Sequence, residues 1–171
     1  LKIAPFIVTL ATMSLARGLT LTVTHSSRVI VDNSLYNFVS QTDLFGKIPV
    51  SLLLVAAAYI AAYLLLTRTA FGRRTYAIGG NPVASRASGI DVEKHTLCVY
   101  IAAGVFIALS TIVIVGRARS AQPMAGVGME FNVITAVVIG GTSLMGGQGN
   151  LKGTLLGVVL TSVIFTGLSM L

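Results

Sequence analysis

The 171-residue chain is 54% hydrophobic and only 10% charged, with a mean hydropathy of +0.88; a soluble domain carries about 25% charged residues, so a soluble globular fold is excluded. The apolar runs are continuous and do not alternate, which points to membrane-spanning helices and excludes a β-barrel. The net charge of +7 is not a nucleic-acid signal, because the twelve Lys and Arg residues mostly flank apolar runs and no aromatic-rich basic stretch accompanies them.

In chain order, about five spans are expected, since a crossing helix needs about 20 apolar residues. Residues 1–6 lack the cleavage site of a signal peptide. The chain starts without Met and stops inside an apolar run, as expected of a fragment of a longer membrane protein cut at both ends. The first span is Pro5 to Val23, with Arg17 inside it. The second and third, Ile48 to Leu66 and Thr96 to Gly116, carry no charge; Cys98 lies in the third and is expected to be a small buried apolar residue. The fourth is shorter, Phe131 to Leu144, and the fifth is Gly153 to Leu171. The fold class is therefore all-α, a polytopic transmembrane bundle, read as a single domain over 1–171.

Lys and Arg counts set the orientation. Residues 67–95 hold Arg68, Arg73, Arg74, Arg86 and Lys94, whereas residues 24–47 hold Arg28 and Lys47 against Asp32 and Asp43. The 67–95 loop is thus expected in the cytoplasm and the 117–130 loop outside, despite Arg117 and Arg119. Span four then crosses inward and leaves Gly146 to Lys152 as a cytoplasmic turn; a re-entrant half-helix is the alternative, tolerated only where protein or a cavity shields the backbone. Gly149, Gly153 and Gly157 recur every four residues, a spacing that lets helices approach closely in lipid. Packing within one subunit is the ordinary reading, and a dimerisation face the alternative.

Within the basic loop the residues dictate one very short helix. Asn81 suits an N-cap, Pro82 the first helical position and Gly89 the left-handed position past the end. The result is roughly two turns, too short to stand alone in water. Its expected surface is small side chains, Ala84, Ser85, Ala87 and Ser88, with one Arg86. Such a surface suits a groove on a partner, although most basic loops do no more than fix topology.

Residues 71–90, from Phe71-Gly-Arg-Arg through Gly79-Gly-Asn-Pro82 to Ser88-Gly-Ile90, resemble the cytoplasmic loop of permease subunits from ribose/galactose-type ATP-binding-cassette (ABC) sugar importers. Residues 5–18, 116–130 and 137–154 are similar to the same family, in the same order, so the resemblance covers almost the whole chain. The family's chains are about twice as long, which would make this the C-terminal half without its last helix. The resemblance implies a coupling element that works against an ATP-hydrolysing subunit, carried by Gly80, Asn81, Pro82, Ala84, Arg86, Ser88 and Gly89. Val83 replaces the usual Glu and Ser85 the usual Ala; the lost carboxylate would have favoured the first helical turn. The implied partners are an ABC ATPase subunit, a second permease copy as a homodimer, an extracytoplasmic sugar-binding protein and a monosaccharide, in a bacterial-type inner membrane.

Four further residues are candidates for the translocation path. Arg17 carries a charge that costs about 2.5–3.5 kcal/mol inside a span, so it lines the path, pairs with a carboxylate, or reaches the headgroups on its long stem. Gln122, Thr142 and Ser143, with Glu130 nearby, could hydrogen-bond a sugar, but hydroxyls in membrane helices more often bond their own backbone. No cofactor or metal site is expected, since His25 and His95 are isolated. Residues 147–154 lack the Gly-Lys-Ser/Thr ending of a phosphate loop. Nothing supports nucleophilic or acid/base catalysis, so any ATP would be hydrolysed by the partner. The readings from other classes are a secondary transporter driven by an ion gradient and a non-transporting scaffold; the uncharged second and third spans count against the first of these.

Overall fold

The computed structural model describes residues 5–31, 33, 36, 39, 42–44 and 48–170. Asp32 and Lys47, used in the charge count, lie outside the described residues, as do residues 1–4 and Leu171. Among the described residues there are seven helices: α1 (Pro5–Val23), α2 (Val50–Arg68), α3 (Ala70–Gly80), α4 (Pro82–Ala87), α5 (Val92–Ala118), α6 (Met129–Ile139) and α7 (Leu151–Ser169). Four two-residue strands accompany them: β1 (Val29–Ile30), β2 (Asp43–Leu44), β3 (Ile48–Pro49) and β4 (Ser120–Ala121). Helices α2, α5 and α7 are long and apolar enough to cross a membrane, and Ile7–Val23 and Met129–Ile139 are shorter apolar helices.

The helices meet the expected spans closely at some ends and poorly at others. α1 has the expected bounds. α2 begins after β3, because Ile48 pairs with Leu44 and Pro49 with Asp43. α5 starts four residues before its apolar run, at Val92, because Asp91 caps it: the Asp91 carboxylate accepts from the Lys94 backbone N–H at 3.1 Å. That backbone bond and the Lys94 ammonium, 3.0 Å away, hold the Asp91 carboxyl below the usual range.

α6 ends at Ile139, five residues short of the expected Leu144. Gly141 turns left-handed there, with φ of 85°. The 11 residues of α6 rise about 16 Å, roughly half of a bilayer core.

The chain divides into two compact units. The first comprises Leu1–Leu53 and Ser110–Val127, the second Leu54–Leu109 and Gly128–Leu171. In the first, β1 pairs antiparallel with β4, Val29 against Ala121 and Ile30 against Ser120. The segment after α1 is thereby tied to the segment after α5. The hydroxyls of α1 turn inward on their own helix: Thr12 donates to the Val8 carbonyl at 2.9 Å and Ser14 to that of Leu10 at 3.0 Å. This satisfies them without a partner helix.

In the second unit, α6 and α7 form an antiparallel hairpin. A Cβ at Gly153 would lie 2.0 Å from the Gly140 carbonyl oxygen, and one at Gly157 would lie 2.0 Å from that of Ala136. Two of the three regularly spaced glycines therefore pack within the subunit. Gly149 precedes the helix and faces the Thr142 side chain instead. Thr161 continues the stripe, buried, its hydroxyl donating to the Gly157 carbonyl at 2.9 Å. Ala136 is the buried apolar core among the described residues. Most large apolar side chains point outward, as lipid permits and water does not. Cys98 is among the outward-facing residues of α5, against the expectation of burial.

Candidate functional site: the α3–α4 elbow and the glycine turn

The basic segment is two helices, where the sequence reading found only the second. Thr69 caps α3 by accepting from the Gly72 N–H at 3.4 Å. Gly72 is buried against the end of α2, where a Cβ would overlap the Leu66 carbonyl. α3 thus leaves α2 through a bend only glycine permits.

One residue, Asn81, separates α3 from α4. Its side-chain oxygen accepts from the N–H groups of Val83 and Ala84, both at 3.0 Å, and Pro82 fills the first helical position. At the other end the Gly89 N–H donates to the Arg86 carbonyl and the Ile90 N–H to that of Ser85, both at 3.1 Å. Gly89 has φ of 80°. These bonds are a Schellman ending, so both ends of a six-residue helix are closed.

The surface of α4 differs from expectation at one position. Ala84, Arg86, Ala87 and Ser88 are exposed, but Ser85 is buried at 5% exposure. Helical rotation sets Ser85 on the inner side, away from the outward face that Val83 and Arg86 share. Val83, one of the two positions at which the loop departs from the sequence it resembles, is 76% exposed and presents an apolar side chain to whatever meets this face.

α3 is held on two sides. The Thr75 hydroxyl lies 2.9 Å from His95 Nε2 in the first turns of α5, and the Phe71 ring sits 4.9 Å from the His95 ring. On the other side is the turn between α6 and α7. The Tyr76 hydroxyl donates to the Gly149 carbonyl at 3.2 Å, and the Tyr59 hydroxyl of α2 to the Leu151 carbonyl at 2.8 Å. Here backbone meets backbone: a Cβ at Gly79 would lie 2.5 Å from the Gly147 nitrogen, and one at Gly147 would lie 2.7 Å from Gly80 Cα. A cleft of about 360 Å³ remains between α3 and the turn, lined by Thr75, Tyr76, Thr142 and Ser143 among others.

The residues singled out for a translocation path fall in different places. Thr142 and Ser143 lie in the glycine turn, at the α3 end of the hairpin. The Ser143 hydroxyl accepts from the Met145 N–H at 3.2 Å, a bond to its own backbone. Arg17 and Gln122 belong to the other unit. Arg17 is half-buried on α1, and Gln122 is exposed, its carbonyl accepting from the Ala125 N–H at 3.0 Å. Among the described residues, no group of three or more His, Cys, Asp or Glu could hold a metal ion.

Apolar helices of spanning length, with charged residues confined to their ends and connections, define a polytopic helical membrane protein. The chain belongs to the family described as "Branched-chain amino acid transport system / permease component", whose model matches residues 1–171. It is 43% identical over 175 residues to the ribose import permease protein RbsC of Bacillus subtilis (strain 168), covering 99% of this chain and 53% of the relative. It is 39% identical over 178 residues to RbsC of Escherichia coli (strain K12), covering 99% and 54%. It is 34% identical over 171 residues to the L-arabinose transport system permease protein AraH of the same organism, covering 100% and 52%. The chain thus spans about half the length of these curated relatives. No solved structure matches it significantly.

Proposed function

We propose that the chain forms the coupling half of a permease subunit in an ABC importer for a monosaccharide, located in the inner membrane. Its partners are an ABC ATPase subunit, a second permease copy, and an extracytoplasmic sugar-binding protein. The observation that carries this reading is α4: a helix with both ends closed that presents small side chains and Arg86 outward, in a family of permease components. ATP binding and hydrolysis in the partner displace α4, and the attached spans alternate access to a central path. The displacement shifts the equilibrium only as far as the two states differ in binding energy.

The sugar class rests on relatives named for ribose and arabinose, whereas the family description names branched-chain amino acids. Proteoliposomes holding the full-length permease, ATPase subunits and binding protein separate these. Uptake of D-ribose or L-arabinose that stops when ATP is withheld is the expected result. Uptake of leucine alone, or uptake driven by an ion gradient without ATP, sinks the reading.

The same reading orients the membrane. With residues 67–95 assigned to the cytoplasm by the Lys and Arg count, the glycine turn that touches the end of α3 shares that side, and the paired β1 and β4 share the outer side that the same count assigns. In a Cys98→Ala background, cysteines at Val83 and Met145 should react with an impermeant maleimide from the cytoplasmic side only. A cysteine at Arg28 should react from outside only. Val83 and Met145 are chosen because they are 76% and 94% exposed, whereas a label at Ser85 would meet a buried site. Opposite-side labelling of Val83 and Met145 would overturn the arrangement.

A further inference from the structure

We propose that Gly79, Gly146, Gly147 and Tyr76 form a clasp that passes displacement of α4 directly to the α6–α7 hairpin, which makes them positioning residues for energy coupling. The inference rests on the reading of α4 as the element that meets the ATPase.

α4 follows α3 with only Asn81 between them, so a push on α4 moves the end of α3. That end is in backbone contact with the turn in both directions: a Cβ at Gly79 would strike the Gly147 nitrogen at 2.5 Å, and one at Gly146 would strike the Gly79 carbonyl oxygen at 2.8 Å. The Tyr76 hydroxyl bonds the Gly149 carbonyl three residues later along the turn. The hairpin beyond is again backbone against backbone, Gly140 on Gly153 and Ala136 on Gly157. From α4 to the middle of α7 the glycine contacts place no flexible side chain on the route. Side chains can change rotamer and absorb a displacement. Apposed backbones have no such slack, so the turn must follow α3. The contact of α3 with α5, by contrast, runs through the side chains of Phe71, Thr75 and His95.

The test uses the full-length permease assembled with its ATPase subunits and binding protein in proteoliposomes, with ribose uptake and ATP hydrolysis measured in the same vesicles. Gly79→Ala, and Gly147→Asn, which adds the Cβ yet tolerates the left-handed backbone of φ 73° there, should keep the ATPase subunits bound while uptake per ATP falls about tenfold, within the 5–150-fold span of coupling between sites. Tyr76→Phe, which adds no volume, should lower the ratio about two- to tenfold, the worth of one hydrogen bond. Gly104→Ala, which meets open space on α5, should match wild type. Wild-type ratios in both glycine variants overturn the clasp, as does a parallel loss of uptake and hydrolysis that leaves the ratio unchanged. If the glycine variants do not assemble, Tyr76→Phe decides: a reduced ratio supports the clasp and a wild-type ratio overturns it. Absence of ATP-dependent uptake in wild type would instead sink the coupling reading on which it rests.

Discussion

Replacing Gly153 with valine is expected to separate α6 from α7 and abolish transport. The Cβ alone would lie 2.0 Å from the Gly140 carbonyl oxygen, where real contacts stay beyond 3.0 Å, so backbone must retreat before the rest of the side chain is placed. Overpacking a core costs about 1–3 kcal/mol when side chains can give way, and occasionally more. Here the obstacle is backbone, which places the cost at the upper end or beyond. Helices in lipid are held by close packing, without a hydrophobic drive to restore what is lost. The measurement is the thermal midpoint of the detergent-solubilised full-length permease, followed by size-exclusion fluorescence, together with uptake. Gly157→Val, which faces the Ala136 carbonyl in the same way, should behave alike. Gly167→Ala meets nothing within 4 Å and is the comparison. A Gly153→Val midpoint equal to that of Gly167→Ala would remove the hairpin packing from the account.

These contacts mark the boundary of what the sequence disclosed. Both ends of α4 are legible because their signals are local: Asn81, Pro82 and Gly89 each act within a few residues of themselves. The long apolar runs were legible for the same reason, since lipid imposes one rule on every residue of a span. α3 was missed. Its three glycines read as loop punctuation, yet Gly72 and Gly79 are helical residues whose missing side chains admit other backbone. The contact of Gly79 with Gly147 has no local signature, because nothing in the periodicity of either segment refers to the other. Ser85 faces inward, against expectation, because six residues give too little pattern to fix rotation. α6 stops before the expected Leu144 because Gly140 and Gly141 end the helix, although an apolar residue follows them.

If α4 couples ATP hydrolysis to uptake as proposed, Gly89→Val is expected to uncouple the two while leaving membrane insertion intact, through the conformation of the backbone at Gly89. A Cβ at Gly89 meets nothing within 4 Å, so the substitution is not a steric clash with neighbours. The constraint is the backbone itself, held at φ of 80° by the bonds from Gly89 and Ile90 back into α4. A left-handed conformation costs an L-residue about 1–2 kcal/mol, with β-branched side chains at the unfavourable end. α4 has six residues and no helical reserve to absorb that cost. At 1.4 kcal/mol per tenfold, uptake per ATP should fall about 5- to 30-fold. Gly89→Asn separates the terms: asparagine adds more atoms than alanine yet tolerates the left-handed region, so it should stay within about twofold of wild type. Asn81→Ala opens the other end of α4, removing two bonds of 3.0 Å, and loss of such a cap costs about 1 kcal/mol, or about fivefold. Hydrolysis and uptake measured together in proteoliposomes read all three. Should Gly89→Asn fail as badly as Gly89→Val, the backbone conformation would not be the cause; should both transport normally, a well-formed α4 would not be what the ATPase engages.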